Sequence, residues 1–176
     1  MVAPGSAQDP TQFMDVRDLA EFLLVTLEQR HIGVYNAHAR EGAITMGDLL
    51  GTCQAVSKRM NTIYCVRAPC PQPPGHDSSL TWVPADFLEA QNVSPWQDMP
   101  VWIPAEGDYA GFGRISTLRA RAIGLKYRPP ETTVPDTLAW WRELPEERRA
   151  KPKAGLAPAR EAEVLEAWRA RKPTGG

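Results

Sequence analysis

The sequence has few of the residues that mark disulfide-rich or zinc-binding proteins. Its 176 residues include only three cysteines, Cys53, Cys65 and Cys70. Their spacing, taken together with His31 and His38, matches no common metal-ligand pattern. The cysteines are therefore predicted to be reduced thiols in a cytoplasmic protein, and no metal is expected.

Long apolar runs and a strong charge bias are also missing. No segment approaches the ~20 apolar residues that span a bilayer, and no basic region followed by an apolar stretch opens the chain, so neither a membrane span nor a signal peptide is predicted. The net charge of −1 argues against nucleic acid or an anionic membrane as the partner. These absences indicate a soluble protein.

A glycine-rich turn between a strand and a helix is absent as well. Such a turn lets the backbone approach a pyrophosphate group at a helix N-terminus. The nearest glycine cluster, Gly111-Phe112-Gly113, follows no predicted strand. The chain alone is therefore not expected to bind a dinucleotide.

What the chain does contain predicts an α/β fold. A hydrophobic fraction of 43% supports a real core, and 17 prolines require long loops. We expect a small sheet of two or three strands with several helices over residues 1–141, followed by a charged linker and a C-terminal helix over 142–176. The Pro-rich stretch within residues 58–79 is predicted to be an inserted loop.

The clearest predicted helix runs from Asp15 to about Gln29. Asp15 is a good N-cap and Asp18 lies in the first turn, so both acids are assigned structural roles. After Gly33, residues 32–37 are predicted to form a buried strand. The remaining predictions are a helix capped by Thr45 and Asp48 that fades at Ser57, a strand at Leu80–Val83, and helices at Pro84–Gln91, at Ser116–Ile123, from Thr133, and near Pro158.

Three local patterns occur in a recognisable order. They are Asp15-Val16-Arg17-Asp18-Leu19-Ala20, then Gly33-Val34-Tyr35-Asn36-Ala37, then the run from Arg119 to Trp141 that passes through Gly124-Leu125 and Tyr127-Arg128-Pro129. Together they resemble the C-terminal half of the extended short-chain dehydrogenase/reductase family, the NAD(P)-dependent epimerases, dehydratases and reductases. The resemblance is nearest to the epimerase/dehydratase-like and isoflavone-reductase-like members.

This resemblance implies a Rossmann-type origin for the sheet and a role in substrate binding. It implies a binding site for a small-molecule substrate, and five side chains are expected to line this site: Gln12, Phe13, Trp96, Trp102 and Tyr109. It also implies NAD or NADP as cofactor. A sheet-edge role for Gln12 and Phe13, and loop anchoring by the aromatic residues, remain open alternatives.

The catalytic pair of the family is missing from these residues. That pair is a tyrosine followed four positions later by a lysine, which lowers the tyrosine pKa. The four tyrosines, Tyr35, Tyr64, Tyr109 and Tyr127, are instead followed at that position by Ala39, Ala68, Gly113 and Glu131. No catalytic or cofactor-binding residue is therefore assigned.

Two functions follow from this combination. The first is a partial NAD(P)-dependent reductase or epimerase, either a truncated product or a piece that needs a separate N-terminal half. The second is a non-enzymatic binding or interaction module derived from the same fold. In either case the helix from Asp15 to Gln29 is expected to expose an apolar face, which would favour self-association.

Overall fold

The fold is a small α/β arrangement in which helices and loops surround a short parallel sheet. This computed structural model describes residues 1–67 and 79–171. The strands are β1 (Val2–Pro4) and β2 (Thr81–Val83). The helices are α1 (Val16–Glu28), α2 (Met46–Arg67), α3 (Ala85–Ala90), α4 (Leu118–Ala122), α5 (Pro130–Glu143), α6 (Glu146–Ala150) and α7 (Pro158–Ala170).

Strands β1 and β2 pair in parallel, with Val2 opposite Thr81 and Pro4 opposite Val83. The outer edge of β1 is closed, because the Val2 N–H donates to the Glu161 carboxylate of α7 at 2.7 Å and Pro4 has no N–H. On β2 the peptide groups of Trp82 lie on the opposite outer edge. They have no hydrogen-bond partner within the part of the chain that the structure describes.

The main core lies beneath this sheet. Its fully buried side chains include Met46, Val83, Leu88, Trp102 and Val164. Because Val164 belongs to α7, the predicted tail helix packs into the same core as residues 1–141. A second, smaller core is formed by Phe22, Ala120 and Leu125, with residues from α1, α4 and the segment that follows α4.

Local capping signals account for where several helices begin. In α1 the Asp15 carboxylate accepts from the Arg17 N–H at 2.9 Å, as expected for an N-cap. In α2 the Thr45 hydroxyl accepts from the Asp48 N–H at 3.1 Å, and the Asp48 carboxylate accepts from the Thr45 N–H at 3.0 Å. This is the predicted capping box, and it lowers the pKa of Asp48 through the hydrogen bond from the Thr45 backbone.

The predicted strand over residues 32–37 is wrong. These residues form an irregular extended segment in which Ile32 and Val34 are exposed. A strand requires a neighbouring strand for its backbone hydrogen bonds, and none lies beside this segment in the described residues. The segment is held instead by Tyr35, which packs edge-on against Phe22, and by Asn36, whose side chain donates to the Ser116 carbonyl.

Two predicted helix limits also need correction. Helix α2 continues to Arg67 instead of ending at Ser57, so residues 58–67 are not loop. No glycine or proline lies between Ser57 and Pro69 to stop it. The Pro-rich remainder of the predicted insertion falls on residues 68–78, outside the described residues. Helix α5 begins at Pro130, the first helical position that proline favours, and not at Thr133.

Candidate functional site

The candidate site is a pair of neighbouring hollows beneath the loop that follows α3. The outer cleft has a volume of about 670 Å³ and is lined by residues from α3 through Tyr109. A small cavity of about 20 Å³ lies beside it. The two share three lining residues, Trp96, Ile103 and Tyr109. Only the outer cleft is large enough for a small organic molecule, since the small cavity has room for about one water-sized group.

Aromatic rings form much of the walls. Trp96 and Tyr109 are each more than half exposed, so both rings present apolar area to solvent. Trp96 packs edge-on against Phe112 with 6.5 Å between ring centroids. Such rings supply a large contact area with few rotatable bonds, which suits a binding surface.

Gln12 contributes a polar group to the small cavity. Its Nε2 atom is buried and has no hydrogen-bond partner among the residues that the structure describes. Buried amide groups are normally satisfied, and leaving one unpaired costs roughly 1–3 kcal/mol. A ligand oxygen or a water that accepts a hydrogen bond would remove this cost.

The loop that builds the site carries unusual backbone conformations. Four non-glycine residues in the described chain have a positive φ, namely Arg30, Asn92, Trp96 and Val101. Arg30 and Asn92 directly follow helix ends, where this conformation is common. Trp96 (φ 64°) and Val101 (φ 57°) end no helix, and both line the small cavity. Strain of this kind in bulky residues collects at functional sites.

Hydrogen bonds hold this loop in its strained shape. The Thr11 hydroxyl donates to the Val101 carbonyl at 2.7 Å, which ties the loop to the segment that carries Gln12. The Trp96 N–H donates to the Trp102 carbonyl at 3.1 Å. The Trp102 indole N–H donates to the Asp9 carboxylate at 3.0 Å. Asp9 and Thr11 therefore hold the Val101–Trp102 end of the strained stretch, and the Trp96 N–H joins the other end to it.

The structure brings together three of the five residues predicted to line the substrate. Gln12, Trp96 and Tyr109 all line the small cavity. Trp102 touches the outer cleft but is almost completely buried in the main core, so its main contribution is packing. Phe13 lines neither hollow and packs against the main core. The wall residues Val101 and Ile103 were not predicted, since β-branched residues in a loop carry no sequence signal for a pocket.

The ionisable side chains at the two hollows are the carboxylates of Asp86, Glu89 and Glu106 and the phenol of Tyr109. Among the residues that the structure describes, no lysine, arginine, histidine or cysteine lines either hollow. Cys53 lies away from them, and burial raises the pKa of its thiol, which makes it a poor nucleophile. Within the described residues no group of three histidine, cysteine or acidic side chains is placed to hold a metal ion. In the same residues, no helix has the length and apolar character needed to cross a membrane.

Comparisons with known proteins add no assignment. No protein-family model, no curated protein and no solved structure matches this chain.

Proposed function

We propose that this chain is the substrate-binding part of an NAD(P)-dependent reductase or epimerase of the short-chain dehydrogenase type. The observation that carries the proposal is the buried Nε2 atom of Gln12, which has no hydrogen-bond partner in the described part of the chain and lies beside a cleft walled by Trp96 and Tyr109. The order of the three family-like sequence patterns supports it. A Rossmann-type origin of the two-stranded sheet and a cytoplasmic location are parts of the same proposal.

The chain's own residues would bind and orient a substrate rather than transform it. The aromatic walls would exclude water from the apolar part of the substrate, and Gln12 would donate a hydrogen bond to a substrate oxygen. NAD or NADP would supply the hydride. The glycine-rich turn and the Tyr/Lys pair that such chemistry needs would come from outside these 176 residues.

A second polypeptide segment has one evident place to extend the sheet. The outer edge of β1 is closed by Glu161 and Pro4, whereas the N–H and C=O groups of Trp82 on β2 are unpaired in the described residues. An added strand would therefore lie beside β2. This would continue a parallel sheet from the β2 side.

The proposal is tested by complementation. The chain alone should show no micromolar binding of NADPH in a fluorescence titration. Co-expression with the dinucleotide-binding half of an intact short-chain reductase should give a complex that oxidises NADPH with carbonyl compounds, and Gln12→Leu in this chain should reduce that turnover. Tight NADPH binding by the chain alone, or failure of the two halves to associate, would refute the proposal.

The second candidate is a non-enzymatic binding module. It is favoured by one observation, that among the described residues the titratable side chains lining the two hollows are the carboxylates and Tyr109 alone, with no lysine, histidine or cysteine. This candidate predicts ligand binding at the cleft with no turnover in any complemented complex. The complementation experiment therefore separates the two.

A further inference from the structure

The charges around the outer cleft have one sign. Three carboxylates, those of Asp86, Glu89 and Glu106, line it, and no cationic side chain of the described residues does. Residues 84–113, which build most of its wall, contain five acidic residues and no basic one. The lining therefore gives the cleft a negative potential.

These carboxylates are not neutralised by neighbours. No ion pair to Glu89 or Glu106 is formed within the described residues. Within the described residues, the hydrogen bond that the Asp86 carboxylate accepts comes from the Phe87 N–H, at 2.7 Å. An anionic ligand would meet repulsion here and no compensating partner, because proteins bind carboxylates and phosphates through arginine, lysine or clustered N–H groups.

The other groups that line the cleft determine which ligands it can bind. The rings of Trp96 and Tyr109 fit an apolar or planar body, and they also attract cations. The Gln12 amide, which lines the small cavity next to these rings, can donate to a carbonyl or hydroxyl oxygen. An uncharged ligand with such an oxygen satisfies all of these groups.

We infer that the cleft binds neutral or cationic compounds with a planar, apolar body and rejects anions, and that an oxygen that accepts a hydrogen bond from Gln12 adds affinity. Sugar nucleotides, sugar phosphates and carboxylates are thereby excluded as substrates, whereas uncharged carbonyl compounds are retained. This inference rests on the proposed substrate-binding role of the cleft.

The test uses three molecules of the same shape and different charge: benzamide, benzamidinium and benzoate. Each is titrated into the whole chain, without nicotinamide nucleotide, and binding is followed by NMR at the indole N–H signals, with Trp96 assigned from a Trp96→Phe variant. Benzamide and benzamidinium should bind in the millimolar range and shift the Trp96 signal. Benzoate should bind at least about tenfold more weakly.

Two sets of variants identify the responsible groups. Glu89→Gln combined with Glu106→Gln should raise the affinity for benzoate toward that for benzamide, while Glu28→Gln, an exposed acid on α1, should change nothing. Gln12→Leu should weaken benzamide several-fold, and Gln8→Leu, at an exposed glutamine, should not.

The outcomes separate this inference from the proposed function. Benzoate that binds as tightly as benzamide would overturn the charge selectivity and leave the substrate-binding role standing. Binding of none of the three would overturn both. Charge selectivity that persists in the Glu89→Gln/Glu106→Gln variant would refute the role of these carboxylates.

Discussion

Asp18 on α1 accepts hydrogen bonds from both the backbone and the side chain of Arg128. The backbone N–H of Arg128 lies 2.8 Å from Asp18 Oδ2, and the guanidinium donates to Asp18 Oδ1 and to Glu21. The hydrogen bonds that the guanidinium donates, to Glu21 first and then to Asp18, raise the pKa of Arg128. The pair joins residues 110 positions apart and fixes α1 against the segment that precedes α5.

Removing Asp18 should therefore destabilise the fold. Its side chain is 3% exposed, so Asp18→Ala leaves the Arg128 N–H without its acceptor in a part-buried position. We expect a loss of roughly 2–3 kcal/mol in the free energy of unfolding, measured by urea denaturation. Glu21 is the matched control, because it contacts the same guanidinium but is mostly exposed. Glu21→Ala should cost less than about 1 kcal/mol, and equal effects of the two changes would contradict this account.

Stability should depend on acid pH through Asp15. The side-chain hydrogen bond from Arg17 holds the pKa of this buried carboxyl well below its usual value, with further contributions from the Arg17 N–H and the Thr133 hydroxyl. A lowered folded-state pKa contributes stability above the unfolded value of about 3.9, and that contribution is lost as the pH falls below it.

The variant Asp15→Asn isolates this effect. At pH 7 it should unfold more easily than the wild type, and the difference in unfolding free energy should shrink as the pH falls from about 4 toward 2. Urea denaturation at a series of pH values measures the difference directly. A difference that stays constant across this range would show that the Asp15 charge contributes nothing.

Short-range signals made much of the helix content predictable. The cap at Asp15 and the box formed by Thr45 and Asp48 need only residues a few positions apart, and both form as expected. Residues 32–37 have equally good strand composition, yet they remain irregular. A strand depends on a partner strand far away in the sequence, and no local pattern reports whether that partner exists.

The candidate site was predictable only in part. Aromatic residues in a proline-rich loop predicted the wall of a binding site, and Trp96 and Tyr109 do line the same hollow as Gln12. The inward position of Trp102 depends on its hydrogen bond to Asp9, a contact between residues 93 positions apart. No sequence signal indicated the left-handed backbone conformation at Val101 either, because β-branched residues rarely adopt it.

The C-terminal helix should be integral to the fold. Val164 on α7 is fully buried in the main core, whereas Val16 on α1 is 76% exposed. Val164→Ala should lower the unfolding free energy by roughly 2 kcal/mol, and Val16→Ala should change it by less than about 0.5 kcal/mol. Thermal or urea denaturation of both variants checks the contrast. A Val164→Ala protein as stable as the wild type would mean that α7 is a detachable tail.

Helix α1 should bind hydrophobic dyes through its outer face. Its buried residues are Asp18 and Phe22, whereas Val16, Leu23, Leu24 and Leu27 are more than half exposed. This exposed apolar face matches the sequence-based expectation. Wild-type protein should enhance ANS fluorescence, and Leu23→Lys combined with Leu27→Lys should reduce that enhancement clearly. Leu118→Lys, at an exposed leucine on α4, should reduce it less; equal reductions would place the dye elsewhere.

The end of α1 should be improvable by a single glycine. Arg30 follows the helix with φ 53°, and the N–H groups of Arg30 and His31 donate to the Leu27 and Thr26 carbonyls, which is the Schellman arrangement. Helix α4 ends in the same way, but there the left-handed position is Gly124, with φ 111°.

Substitutions at Arg30 and Gly124 should change the free energy of unfolding in opposite directions. Arg30 is exposed, and its side chain forms no hydrogen bond or ion pair in the described chain, so Arg30→Gly should raise the unfolding free energy by roughly 0.5–1 kcal/mol by relieving backbone strain. Gly124→Ala should lower it by about 1 kcal/mol or more, because a Cβ there is strained and would lie 3.3 Å from a methyl group of Val25. Since both changes alter one backbone position at a helix end, denaturation curves that shift in the same direction would contradict one of the two predictions and show that φ at that position does not govern stability.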